Sequence, residues 1–269
     1  MSPETLLRRS RFRRTPAGKR VEVTTRDIAI LQWLYRYRYL SRDHLIAAIG
    51  PRSQKRFIER LGDLFHETGF IARRVPAADP FSARATQAIY EIAAKGIEYL
   101  EQLEMLPNRA VTFSRQTKRS YNPQALHTMA IIDALLAIEL DTATTPQQRF
   151  VPVDEILARA PVETRSVRNP LSVPVTIYPS EEHPIVRSRI ETHLIPDALY
   201  GIEYLIDGVK RYRFWALECE RTSPAKRATT KASSTALKRA AYDALIQSGA
   251  FKRHWGIPNL NLRICRNAC

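Results

Sequence analysis

Two β-rich runs, 190–206 and 210–220, flank the dipeptide Asp207-Gly208. Asp-Gly tolerates the positive φ angles of a two-residue turn whose twist matches the strands it joins, so it closes a hairpin and sets its register. Counting outward from that turn places Asp197 across from Glu218. Side chains alternate along a strand, which puts Glu220 on the same face and turns Trp215, Leu217 and Cys219 to the other. Three carboxylates gathered in this way repel one another. The usual remedy is a divalent cation with oxygen ligands, Mg²⁺ or Mn²⁺, which makes Asp197, Glu218 and Glu220 candidate metal ligands and catalytic groups. A solvated hairpin edge with scattered acids is the competing reading, and the apolar Leu199, Phe214 and Ala216 at neighbouring positions weigh against it.

The rest of the second half supplies partners for this hairpin. A helix over 123–141 carries Leu126, Met129, Ile132, Leu135, Leu136 and Ile138 on one face. It also holds His127 and Asp133, auxiliary candidates that could approach the acidic face, although a lone helical His is more often structural. A first strand is expected over 150–156, and 160–184, rich in Pro and polar residues, reads as an irregular insertion. A helix over 234–248 and a strand over 260–264 complete the order helix, strand, strand, strand, helix, strand. The polar stretch 108–122 shows no apolar period and reads as a linker.

In the first half, Ile28, Leu31, Leu34 and Tyr35 recur at helical spacing after the capping residues Thr24 and Thr25. Ser41 opens a second, short helix that Gly50 and Pro51 end. A third runs from 53 to 68, with Phe57, Ile58, Leu61, Leu64 and Phe65 on one arc. The opposite arc gathers Arg52, Lys55 and Arg56 beside Ser53 at its N-terminal end, where a recognition helix meets base edges and phosphates. Two β-rich runs, 70–75 and 88–93, then form a wing bearing Arg73, Arg74 and Arg84. Helix, helix, helix, strand, strand is the order of a winged helix. A trihelical protein-interaction domain would share the apolar pattern, and the basic face favours DNA. A helix over 94–105 packs within this domain or pairs two copies in a homodimer.

Charge points to the same partner. The chain has 269 residues, 42 Lys and Arg against 27 Asp and Glu, and a net charge of +15. Residues 1–21 read as a disordered basic arm holding Arg8, Arg9, Arg11, Arg13, Arg14, Lys19 and Arg20. Such density suits phosphate neutralisation, with a functionless solvated tail as the alternative. A second cluster follows Glu220 and includes Lys226, Lys231, Lys238 and Arg239. No apolar run is long enough to span a membrane, no signal core is present, and three cysteines are too few for a disulfide framework. A cytoplasmic protein without membrane attachment is expected.

Pro196-Asp197 and Glu218-Cys219-Glu220 resemble the signature of the PD-(D/E)XK restriction-endonuclease-like fold. Taken with the runs TTRDIAILQWLYRYRYLS, IYEIAAKGIEYL, LIPDALY and ALECERTS, the chain resembles the replication-relaxation family over about residues 22–264. The resemblance implies an α+β chain, also describable as α/β: a winged helix-turn-helix over 22–107 and a nuclease-like αβββαβ domain over 123–269. It further implies a plasmid mobilisation relaxase-like role, with Asp197 and Glu218 as metal-binding acids. The third signature position departs, because Glu220 stands where the fold has Lys. A lysine polarises water or stabilises phosphorane charge, whereas a glutamate holds metal or acts as base. Lys226 or Lys231 would have to supply the missing charge. Tyr121, Tyr200 and Tyr242 are set aside as covalent nucleophiles, since the three-histidine metal cluster of tyrosine relaxases is not found in the sequence.

Two functions follow. One is a metal-dependent endonuclease or nickase that binds double-stranded DNA at a transfer or replication origin, with mobilisation accessory or coupling proteins as further partners. The other is a non-catalytic, sequence-specific DNA-binding accessory factor or transcriptional regulator.

Overall fold

The computed structural model describes residues 9–74, 88–112, 123–220 and 234–266. Arg84, Tyr121, Lys226 and Lys231 lie outside the described residues, as does most of the 108–122 stretch. The protein is mixed α+β and divides into two compact units, residues 1–107 with 113–125, and residues 108–112 with 126–269.

In the first unit, α1 (Thr25–Tyr37) begins at a reciprocal cap in which Thr24 and Asp27 satisfy each other's backbone N–H. A two-residue strand, β1 (Leu40–Ser41), leads into α2 (Arg42–Ile49), which stops at Gly50 in the left-handed conformation. Helix α3 (Gln54–Asp63) is capped by Ser53 and widens into a π-helical turn over Leu64–Thr68 before Gly69. Strands β2 (Ile71–Arg74) and β3 (Ile89–Ile92) pair antiparallel, and β1 adds to the free edge of β3, a third strand too short to show in the sequence pattern. Helix α4 (Ala94–Gln102) follows. The core gathers Ile30, Leu31, Leu34, Leu45, Phe57, Leu61, Leu64 and Phe65, whereas Ile58, expected inside, is exposed. Its position at the edge of the helical arc leaves it off the buried stripe.

Asp27 is fully buried, and Arg60 of α3 donates to both its oxygens, at 2.9 and 2.5 Å. This pair ties the third helix to the first. Residues 9–20 also depart from a free arm. Arg14 donates to the carbonyls of Phe65, Gly69 and Ile71 at 3.0, 3.0 and 2.8 Å, where a closing helix leaves carbonyl oxygens without N–H partners. Arg9 pairs with Glu67 at 2.7 Å and Lys19 with Asp63 at 2.5 Å, so part of the basic run neutralises this unit's own acids.

The second unit opens with Arg109, whose N–H donates to Asp154 at 2.9 Å; residues 108–112 thus pack with this unit rather than serving as linker. Helix α5 (Pro123–Thr144) precedes β4 (Gln148–Val151). The expected strand stops there because Pro152 has no N–H to continue a ladder, and Asp154 and Glu155 suit the first turn of α6 (Val153–Ala158). After α7 (Val162–Ser166) comes β5 (Val173–Ile177), paired with β6 (Ile190–Leu194). The 160–184 stretch is therefore core: Leu171, Val173, Val175 and Ile177 are buried, their alternation masked by the outward Pro174. The long strand expected over 190–206 is broken at Pro196, and its second part, β7 (Ala198–Ile206), pairs with β8 (Val209–Glu220).

The β7–β8 register is the one the turn dictates. Ala198 pairs with Leu217, Leu199 with Ala216 and Ile206 with Val209, while Asp207 and Gly208 take φ of 50° and 74°. Helix α8 (Thr235–Ser248), capped by Ser234, and a short α9 (Ala250–Trp255) lead to β9 (Asn261–Arg266), which runs parallel to β8. The sheet order is β4-β7-β8-β9. Leu199, Phe214 and Ala216 share a core with Leu237, Ala240, Ala241 and Leu245, so α8 covers the face that also carries Glu218 and Glu220. Among the described residues, no helix is long and apolar enough to cross a membrane.

Candidate functional site

The acids of the hairpin converge on α8. Asp197 precedes β7 and accepts the Cys219 N–H at 2.9 Å, which pins it beside the end of β8. Its other oxygen lies 3.5 Å from Lys238 Nζ and 3.3 Å from His127 Nε2. Lys238 Nζ is also 2.5 Å from Glu218. One ammonium therefore bridges two carboxylates, and the second Glu218 oxygen accepts the buried Tyr242 hydroxyl. Glu220 is drawn aside: Arg239 Nη2 contacts both its oxygens, at 2.9 and 2.8 Å. The structure brings Asp197 and Glu218 together, with His127 beside them, and leaves Glu220 in a separate ion pair.

Burial sets the protonation of this group. Glu218 is pushed up to about 7, first by loss of solvent and then by the Asp197 charge, against the pull of Lys238 and Tyr242. Burial would also raise Asp197, yet the His127 hydrogen bond, the Lys238 charge and the Cys219 N–H hold it below the ordinary carboxylate value. Lys238 is raised by its two acids despite its own burial. Burial first, and then the field of nearby acids including Asp197 and Asp133, pushes the Cys219 thiol up to about 12, so it is a poor nucleophile.

The donor chemistry matches a cation in part. Asp197 and Glu218 already converge on one positive charge, so this pair suits a hard cation. Glu220 does not complete the set while Arg239 holds it. Among the described residues, no group of three or more His, Cys, Asp or Glu side chains is placed to hold a metal ion.

On the first unit, Arg52, Ser53, Lys55 and Arg56 are all exposed at the start of α3, and the Ser53 hydroxyl caps the helix by accepting the Arg56 N–H at 3.4 Å. Arg73 is differently placed. Its guanidinium packs over the Phe65 and Tyr90 rings at 4.6 and 5.4 Å and donates to the Arg11 carbonyl. Arg74 pairs with Glu91 at 2.8 Å and covers Tyr39. These two arginines secure the strands, whereas Arg52, Lys55 and Arg56 stand exposed together at the start of α3.

Lys238, Arg239 and Tyr242 are the participants that sequence reasoning did not assign. The signal was present: Leu237, Ala240, Ala241 and Leu245 mark the inward stripe of α8, and residues 238, 239 and 242 border it.

The family model described as replication-relaxation matches residues 31–260. This span takes in the second half of α1, the hairpin, its acids and α8. The chain belongs to the replication-relaxation family. Membership links it to replication and relaxation of plasmid or mobile-element DNA. No curated protein and no solved structure matches the chain.

Proposed function

We propose that this member of the family is a metal-dependent DNA endonuclease or nickase that acts at a plasmid or mobile-element origin. The observation that carries the proposal is Lys238 Nζ bridging Asp197 and Glu218. Two acids and a lysine are the functional set that the strand signature alone left incomplete. In this reading the lysine comes from α8 instead of the third signature position. The first unit acts as a winged helix-turn-helix that holds duplex DNA through Arg52, Lys55 and Arg56, and the second as a restriction-endonuclease-like domain.

Asp197 and Glu218 would hold Mg²⁺ or Mn²⁺, which supplies an activated water and neutralises phosphate charge. Lys238, once its acids have another cation, has an ammonium to offer to the scissile phosphate. Tyr242 orients Glu218 through its hydroxyl, and the Cys219 N–H orients Asp197. The test is nicking of supercoiled plasmid carrying the protein's own origin. Wild type converts it to open circle with Mg²⁺ or Mn²⁺, whereas Asp197→Ala, Glu218→Ala and Lys238→Met bind the DNA without nicking it. Wild type that leaves the plasmid supercoiled with either metal refutes the proposal.

A second reading has its own support in the closed ion pairs Lys238–Glu218 and Arg239–Glu220. Acids already paired with the protein's own cations suit a non-catalytic DNA-binding factor. That reading expects origin binding that depends on Arg52, Lys55 and Arg56 and is indifferent to Asp197→Ala.

A further inference from the structure

The sheet of the second unit separates its charges by face. Register and alternation put Glu203, Glu218 and Glu220 on the α8 side. The opposite face carries Tyr204 paired with Arg211, Ile202 paired with Arg213, then Trp215, and on β9 Asn261 and Arg263. Toward Leu217 and Cys219 this face is buried, but Arg211, Arg213 and Arg263 are exposed and Tyr204 and Trp215 are half-buried. No strand residue on this face is acidic; Asp207 lies in the turn at its open end, and Asp133 acts on Cys219 at its buried end. Among the described residues, none of the three arginines pairs with a carboxylate. Trp215 is held in place by stacking on Tyr200 at 5.5 Å, which is itself stacked on Phe150 at 5.8 Å.

We infer that this open half-face binds a single strand of DNA. The inference deepens the nicking proposal and rests on it only for the choice of DNA as the nucleic acid. Arginines without acidic partners offer charge to phosphates, and the half-buried Trp215 and, farther along the same face, Tyr204 offer aromatic rings on which unpaired bases stack. Arg211 and Arg213 are two residues apart on one strand, about 6.6 Å, a spacing suited to successive phosphates of an extended strand. A duplex fits less well: its bases are stacked inside, and reading it calls for an element that enters a groove, which a sheet face does not. A nicked origin supplies the single strand that this surface would hold.

The test is fluorescence anisotropy of the full-length protein with labelled oligo-dT about 20 nucleotides long and with a mixed-sequence duplex of equal length. Arg211→Glu/Arg213→Glu should weaken oligo-dT binding by roughly tenfold or more and lower its salt dependence by about 0.7 for each phosphate that is no longer neutralised. Duplex binding, assigned to the first unit, should stay unchanged. Arg211→Gln/Arg213→Gln should give a smaller loss of the same kind, which guards against misfolding of the reversed variant. Unchanged oligo-dT affinity in both variants, equal losses for oligo-dT and duplex, or no oligo-dT binding by wild type overturns the inference. A dimer that dissociates on charge reversal while oligo-dT binding is absent also overturns it, in favour of a second copy as the occupant. Plasmid nicking by the same preparations keeps the two readings apart. Nicking with arginine-independent oligo-dT binding sinks the sheet face alone, and arginine-dependent oligo-dT binding without nicking sinks the nuclease alone.

Discussion

Glu218 should make the second unit less stable as pH rises through neutrality, opposite to the usual behaviour of a paired carboxylate. Its carboxyl goes from an ordinary value of 4.5 to about 7 in the folded protein, chiefly through burial. Between those values the folded chain holds a proton that the unfolded chain has released, so unfolding stability falls with pH, by about 1.4 kcal/mol per pH unit. Across the interval this amounts to about 3 kcal/mol, fully present below pH 4.5 and lost above pH 7. His66 and His254 have the opposite sign, because burial depresses both and their contributions are lost as pH falls. The informative quantity is therefore the stability of wild type minus that of Glu218→Gln, in which other titrations cancel. Gln keeps the shape but cannot ionise, and Lys238 keeps Asp197 at 3.5 Å. The assay is urea unfolding by tryptophan fluorescence from about pH 5 to pH 8. Trp33→Phe in both proteins leaves only Trp215 and Trp255, in the second unit, as reporters. The difference should fall by about 3 kcal/mol as pH rises. A difference that is flat, or that moves toward wild type with rising pH, refutes the burial argument.

Tyr242→Phe removes the hydroxyl that favours ionised Glu218, so the midpoint of that pH dependence should move above about 7; a downward move would contradict the hydrogen bond. Arg60→Ala strands Asp27, which is 0% exposed, and should destabilise the first unit by about 3 kcal/mol in urea unfolding followed through Trp33. A cost below about 1 kcal/mol would mean that the Thr24 cap alone satisfies Asp27. Gly96→Ala would put a methyl group 2.4 Å from the Phe70 carbonyl oxygen and 2.9 Å from Ile92 Cγ1, so the first unit should lose about 3 kcal/mol or fail to fold by circular dichroism.

The hairpin was legible because its turn chemistry and its alternation are local and agree. Asp207 and Gly208 admit one tight turn, and every pairing from Ala198–Leu217 outward to Ile206–Val209 follows from it. Helices α1, α2 and α8 were legible through Thr24, Ser41 and Ser234 at their starts. The failures are tertiary. Val173, Val175 and Ile177 alternate, but the intervening proline and serine-rich flanks hid a strand that only its pairing with β6 stabilises. Arg73 looked like a free wing arginine, and its burial between Phe65 and Tyr90 depends on a sheet and a helix meeting. Arg14 looked like arm charge, yet its use is to satisfy three carbonyls more than fifty residues away. A charge count distinguishes neither from solvated arginine.

Lys238 explains why the site reads differently from its strand signature. On β8, Glu218 and Glu220 are two residues apart and point the same way. On α8, Lys238 and Tyr242 are one turn apart and reach Glu218 together, while Arg239, rotated by one residue, reaches Glu220. The helix thus sorts two acids that the strand presents as equals: one is buried with a lysine and a tyrosine, the other is paired with an arginine at the side. Leu237, Ala240, Ala241 and Leu245 hold that register against Leu199 and Ala216, so rotation of α8 about its axis would disturb both pairs at once. The cation absent from the third signature position is thereby present in space, on an element that the signature does not include. If that placement is functional, Glu220→Gln should leave nicking within a few-fold of wild type, whereas Lys238→Met should abolish it. Equal loss in both variants would return Glu220 to the metal set, and nicking retained by Lys238→Met would make Lys238 a packing residue.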